Sequence, residues 1–252
     1  MKLNVVAPRT GIEWVKLGLR TFMRQPLALA GLFFMYMTAV LLLSQVPVVG
    51  VVIGGLLVPA ATLGLMAATA ETSRGRFPMP SVLISAFRAG RQQARAMLVL
   101  GAIYTTGSIL ASGLATLLMG PPEAPQPGRF DGSTLVALVL HLPLFMMFWH
   151  APALVHWHGV TPAKSLFFSM VAVLRNFGAH LVFGLGWIAM FVATGTLIGL
   201  VGSLLGGAGM AQGLMLPVAL VLASMFSSSI YFSFRDCFTA DEPALPEGQT
   251  RA

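Results

Sequence analysis

Charge is what this chain has least of. Asp, Glu, Lys and Arg make up 9% of its 252 residues, where an ordinary soluble domain carries about 25%, so water is not the solvent for most of its surface. Cysteine is nearly absent too. Cys237 is the only one, which excludes an intrachain disulfide and any metal site built on thiolates. Ser227, Ser228 and Ser229 stand without an Asp partner for a nucleophilic triad. The start of the chain lacks the short apolar run and the Ala-x-Ala-like end of a cleaved signal peptide, so a retained N-terminus is expected.

What is present is apolar length. Hydrophobic residues make up 56% of the chain, and a hydrocarbon core about 30 Å thick needs roughly 20 of them per helix. Six charge-free stretches meet that length: residues 27–46, 48–69, 97–119, 133–157, 179–205 and 211–234. Pro59 and Pro143 fall inside the second and fourth, which a membrane helix tolerates when neighbours satisfy the freed carbonyl. The reading is an all-α membrane protein with six transmembrane helices. No Asp, Glu, Lys or Arg lies within any of these stretches, which weighs against ion-coupled transport through an embedded carboxylate.

Orientation follows from Lys and Arg. Lys2, Arg9, Lys16, Arg20 and Arg24 precede the first stretch, Arg74, Arg76, Arg88, Arg91 and Arg95 separate the second from the third, Lys164 and Arg175 separate the fourth from the fifth, and Arg235 and Arg251 follow the sixth. Only Arg129 of the 15 basic residues lies on the other side. The positive-inside bias therefore predicts both termini in the cytoplasm of a multi-pass bacterial inner (plasma) membrane protein. The net charge of +7 is a topological signal, and nucleic-acid binding is not read from it.

The chain also repeats itself. Trp14 to Arg24, Ser81 to Arg91 and Ser165 to Arg175 are helical in character, end on Arg followed by Gln25, Gln92 or Asn176, and each lead into an apolar pair whose second member carries Pro59, Pro143 or Pro217. This predicts three helical hairpins, each preceded by a cytoplasmic interfacial helix, as repeats 11–76, 77–160 and 161–238 of a single transmembrane domain 1–238. In the first segment Ile12, Val15, Leu19 and Phe22 form the expected apolar face, opposite Glu13, Lys16, Arg20 and Arg24. The second sets Leu83, Phe87 and Gly90 against Arg88, Arg91 and Arg95, which suits an anionic leaflet. The third is mostly apolar and is expected to tuck against the bundle. Residues 120–132, rich in Pro and Gly, read as an external loop, and 239–252 as a disordered cytoplasmic tail.

His150, His156 and His158 in FWHAPALVHWHG are candidate metal ligands, although their spacing does not share one face of a regular helix. The alternative is an interfacial belt with Trp149 and Trp157. His141 and His180 read as hydrogen-bonded packing residues. Gly195, Gly199, Ser203 and Gly207, and Gly107, Ala111 and Ala115, form small-residue stripes for internal packing or a homodimer face.

Through FWHAPALVHWHGVTPAKSLFFS, FPMPSVLISAFRAGRQQ and IYFSFRDCF the chain resembles an uncharacterised family of small bacterial six-helix integral membrane proteins. Its layout is distantly similar to the membrane domain of some glycerophosphodiester phosphodiesterases, whose catalytic barrel it has no room for. The resemblance implies fold and location and no activity. Function then reads as non-enzymatic, with Arg20, Arg24, Arg88, Arg91 and Arg95 engaging anionic membrane lipids or a membrane partner, and with no cofactor. The alternatives are a transporter or lipid-handling protein with a central cavity, and a metal-dependent intramembrane enzyme using the three histidines.

Overall fold

A computed structural model describes residues 1–121, 131–205 and 207–239. Most of the expected external loop, with Glu123 and Arg129, and the expected tail from 240, with Arg251, lie outside the described residues. Among the described residues six helices are long and apolar enough to cross a membrane, at the places the hydropathy indicates.

Helix α1 (Thr10–Arg24) leads into α2 (Pro26–Ser44) and α3 (Val49–Ser73). A short 3-10 helix (Pro80–Ile84) and the single turn α4 (Ser85–Arg88) precede α5 (Arg91–Met119) and α6 (Gly132–Phe148). Then come α7 (Ala151–His158), α8 (Pro162–Arg175), α9 (Phe177–Leu205) and α10 (Gly207–Cys237). Helix α2 packs on α3, α5 on α6, and α9 on α10, while α3 also packs on α5 and α10. Lys2–Leu3 pairs antiparallel with Phe238–Thr239, which ties the two ends of the described chain together.

Two expectations need correction. Residues 81–91 are not one helix: Gly90, at a φ of +115° that suits glycine, separates α4 from α5, so Arg91 opens a membrane helix instead of ending an interfacial one. The buried face of α1 is also rotated from the expected one. It consists of Gly11, Trp14, Val15, Gly18, Thr21 and Phe22, with Ile12 exposed.

Glycine explains that rotation. A Cβ on Gly11 would lie 2.1 Å from the Ala179 carbonyl oxygen, and one on Gly18 would lie 2.4 Å from the Ser229 Cβ. Helix α1 therefore approaches α9 and α10 at backbone contact, and Trp14 is driven fully inside. The α3–α5 crossing uses the same device, with Gly101 against the Leu56 carbonyl and Gly55 against Thr105. Of the small-residue stripes, Gly107 receives Leu144 and Ala115 is buried, whereas Gly195 and Gly199 face open space.

The core is concentrated at the end of the bundle that holds α1, α7, α8 and the paired termini. One cluster joins Trp14, Met66, Leu154, Phe183 and Phe232, a second joins Leu63, Met97, Leu100 and Phe148, and a third joins Phe22, Leu32 and Ala68. At the opposite end Leu42, Leu117, Val139, Leu204 and Leu216 are exposed, as apolar residues in contact with lipid should be. There Asp131 caps α6, accepting from the Ser133 and Thr134 backbone N–H groups; the Ser133 hydroxyl, foremost among these donors, holds its carboxyl below the usual Asp range.

The glycine contacts make a paired prediction. Gly11→Ala should cost about 1–3 kcal/mol through overpacking. Gly31→Ala, with nothing within 4 Å of its new Cβ, should be neutral or stabilising by up to about 1 kcal/mol. Thermal unfolding of the two variants in detergent checks this.

Candidate functional site

The fourth span is not continuous. Pro152, in the first turn of α7, has no N–H to donate to the carbonyl one turn back, and the helix breaks at Trp149 and His150 between α6 and α7. A hydroxyl from α8 enters the break. Ser169 Oγ accepts from the His150 backbone N–H at 2.9 Å and donates to the Met146 carbonyl at 2.9 Å. It replaces the helical bond those two groups would otherwise share, a recognised cause of a kink. After the break, α7 ends on Gly159 in the left-handed conformation, with the Val160 N–H returning to the Leu154 carbonyl.

The break turns His150 into the interior, where it is fully buried. Its Nε2 lies 3.2 Å from Ser233 Oγ. That hydroxyl spends its single proton on the Ile230 carbonyl and also accepts from Trp149 Nε1 at 3.1 Å. His150 must therefore be the donor through Nε2, which leaves Nδ1 as a bare acceptor, and that atom has no partner. His180, with its ring centroid 5.7 Å from that of His150, mirrors the arrangement. Its Nδ1 faces the Asn176 carbonyl at 3.0 Å, which can only accept, and its buried Nε2 is without a partner.

Indoles complete the surround. Trp14 and Trp149 both meet His180 edge to face. Trp14 Nε1 donates to Asp236 at 2.9 Å and Trp187 Nε1 donates to Ser229 at 3.1 Å. Asn176 ties down the N-terminal segment, accepting from the Val6 N–H at 2.7 Å and donating to the Asn4 carbonyl at 3.0 Å. Three indole N–H groups are thereby satisfied by side chains of α10 alone.

The three candidate histidines do not converge on one point among the described residues. His150 turns toward His180, His156 meets Trp157 edge to face, and the His158 ring lies tilted against Phe234; among the described residues no three of His, Cys, Asp or Glu form a group able to hold a metal. Sequence reasoning missed the pairing of His150 with His180. The i, i+4 spacing of Ser229 and Ser233, which puts two hydroxyls on one face of α10, signals acceptors for the Trp187 and Trp149 indoles but not that pairing.

The predicted arginines form a rim outside this network. Arg20, Arg24, Arg88, Arg91 and Arg95 are all exposed, and among the described residues none is in an ion pair. Arg24 donates to the Ser73 carbonyl at 3.2 Å, and Gln25 to the Arg76 carbonyl at 3.3 Å, which places the end of α1 beside the end of α3. Arg88 lines a cleft of about 410 Å³ with Ser85, Glu71 and His156. Arg91 lines another of about 570 Å³ with Gly90, Gln93 and Thr161. Ala89 is shared by both, and the buried Ser85 Oγ and His156 Nδ1 have no partners.

Ser169→Ala should leave the His150 N–H and the Met146 carbonyl unbridged and cost about 1–3 kcal/mol. Ser165→Ala removes a hydroxyl bonded only to Pro162 in its own helix and should cost less. Thermal unfolding of both in the same lipid checks the difference.

No family model matches the chain, and no solved structure matches it. It is 38% identical over 266 aligned positions to a probable inner membrane protein of Burkholderia thailandensis, an alignment covering 98% of this chain and 97% of that one. With six membrane-capable helices in the same chain, this is a multi-pass inner membrane protein, and it belongs to the family of that Burkholderia protein.

Proposed function

We propose that this protein is a non-enzymatic lipid-engaging component of the inner membrane whose arginine rim holds the headgroups of anionic lipids in the cytoplasmic leaflet. The observation that carries the reading is that, among the described residues, none of the five exposed guanidinium groups is in an ion pair. Arg76 has Glu71 at 2.7 Å and Arg235 has Asp236 at 2.9 Å, whereas among the described residues Arg20, Arg24, Arg88, Arg91 and Arg95 are in no ion pair. A cation left exposed at a membrane surface is best matched by lipid phosphate, each contributing about 1 kcal/mol of attraction. The closed end of the interior is filled by Trp14, Leu63, Met66 and Phe183, each 1% exposed or less, which supports engagement from outside over passage through the middle.

The packing supports a three-unit organisation, and the bias of Lys and Arg supports both termini cytoplasmic. Helix α1 lies on α9 and α10, the short helices at 80–88 lie on α3, and α8 lies on α6 and α7. In this reading each interfacial segment covers the preceding hairpin, and the first covers the last. The units 11–76, 77–160 and 161–238 then form a closed ring related about an axis along the membrane normal, whose covered end is the one that carries the arginines.

The test is lipid preference in the full-length protein. Arg88→Gln together with Arg91→Gln should lower retention of phosphatidylglycerol over phosphatidylcholine about thirtyfold, read by native mass spectrometry from mixed-lipid nanodiscs. An unchanged preference in a protein with unchanged thermal unfolding removes the proposal and leaves these arginines a topological role only.

A further inference from the structure

Two clefts meet at Ala89, between the short helices at 80–88 and the start of α5. The first, of about 410 Å³, is lined by Arg88, by Ser81 and Ser85, and by the exposed Phe77 and Met79. Glu71 lines it as well, but its carboxylate is held by Arg76 at 2.7 Å. The second, of about 570 Å³, is lined by Arg91, Gln92 and Gln93 at the start of α5 and by Thr161 and Pro162 at the start of α8. Neither helix has a side-chain cap. Two helix starts, each with backbone N–H groups unmatched inside the helix and a positive dipole end, therefore flank the space that Arg91 lines.

Each cleft offers an anion one exposed guanidinium, and among the described residues neither is in an ion pair. The fold sets the distance between them. Arg88 and Arg91 are near neighbours in the chain, so their Cα atoms stand at most about 11 Å apart, with Gly90 turning the backbone between them at a φ of +115°. The Gln93 amide donates to the His156 carbonyl at 3.2 Å, which holds the start of α5 against α7. That helix contributes His156 to the first cleft and Val155 to the second.

The level of the pair fits a lipid headgroup. Arg91 precedes Met97, where the charge-free stretch of α5 begins, by about 9 Å of helix. Phe77 and Met79, beside Arg88, add an apolar surface that an acyl chain would cover and a soluble phosphate would leave in water.

We propose that the two clefts together hold one lipid carrying two phosphates on a shared glycerol, with one phosphate at Arg88, the other at Arg91 and the three-carbon bridge crossing Ala89. The assignment rests on the reading of the rim as an anionic-lipid surface and names the lipid. Two lipids of one phosphate each would match the same charges, but a shared bridge makes the second contact intramolecular. The two-phosphate lipid therefore wins at equal phosphate.

The full-length protein is placed in phosphatidylcholine nanodiscs that also carry cardiolipin and phosphatidylglycerol at equal phosphate content, and retained lipid is read by native mass spectrometry. Cardiolipin is expected to be retained at least about fivefold over phosphatidylglycerol. Arg88→Gln and Arg91→Gln should each lower that preference about fivefold, because the second phosphate then has no cation to meet. Arg175→Gln removes the same charge but lines neither cleft, and should leave the preference unchanged. Equal retention of the two lipids by the native protein overturns the assignment, as does an equal loss in Arg175→Gln or displacement of cardiolipin by an equal concentration of glycerol 1,3-bisphosphate. Should phosphatidylglycerol still be retained over phosphatidylcholine in that case, the rim reading stands without this site; should neither anionic lipid be retained, both fall. If a variant fails to fold, the ratio in the native protein and the bisphosphate competition decide.

Discussion

A polar hydrogen buried inside a bilayer has no water to bond, so each must find its acceptor within the protein. In this chain that requirement is met by a few hydroxyls placed where helices cross. Ser233 receives both the Trp149 indole and His150, Ser229 receives the Trp187 indole, and Ser169 stands in for a missing helical bond between His150 and Met146. The remaining features of the closed end follow from those contacts. A straight fourth span would carry His150 away from Ser233, and the imidazole pair would not form.

The same economy explains why the bundle is tight at one end and loose at the other. Polar residues and glycine contacts concentrate where α1, α7 and α8 meet the starts and ends of the membrane helices, so backbones can approach and side chains can interlock there. Toward the other end the helices present Leu, Val and Met to lipid, and little besides lipid contact stabilises them. An apolar cleft lined by Phe145, Gly184, Trp187 and Ile188 lies between these two regimes. Its head is fixed by the aromatic and hydroxyl network, and its mouth is lined by exposed apolar residues.

Much of the fold was legible because apolar length and the absence of charge are properties of the chain itself. The six spans are placed within a few residues by 27–46 through 211–234, and the break in the fourth is foreshadowed by Pro152. What escaped was decided by tertiary contact. The face of α1 reads as Ile12, Val15, Leu19 and Phe22 from hydrophobicity alone, but Gly11 and Gly18 allow a closer approach, and the helix turns to bury Trp14. The three histidines are close in sequence and therefore invite grouping, while the real neighbour of His150 is His180, brought near by the packing of α9. The exposure of the five arginines was legible; that none is in an ion pair among the described residues needed the fold.

The central claim is that the closed end is organised by hydroxyl and carboxylate acceptors on α10 that hold buried indoles. Hydrogen exchange at the four tryptophan side chains, followed by NMR of the full-length protein in lipid nanodiscs, tests it most directly. Trp14, Trp149 and Trp187 donate to Asp236, Ser233 and Ser229, while Trp157 is 37% exposed. The account predicts three indole N–H signals that persist in deuterated buffer and one, from Trp157, that is lost early. Exchange of Trp149 or Trp187 as fast as Trp157 would contradict it.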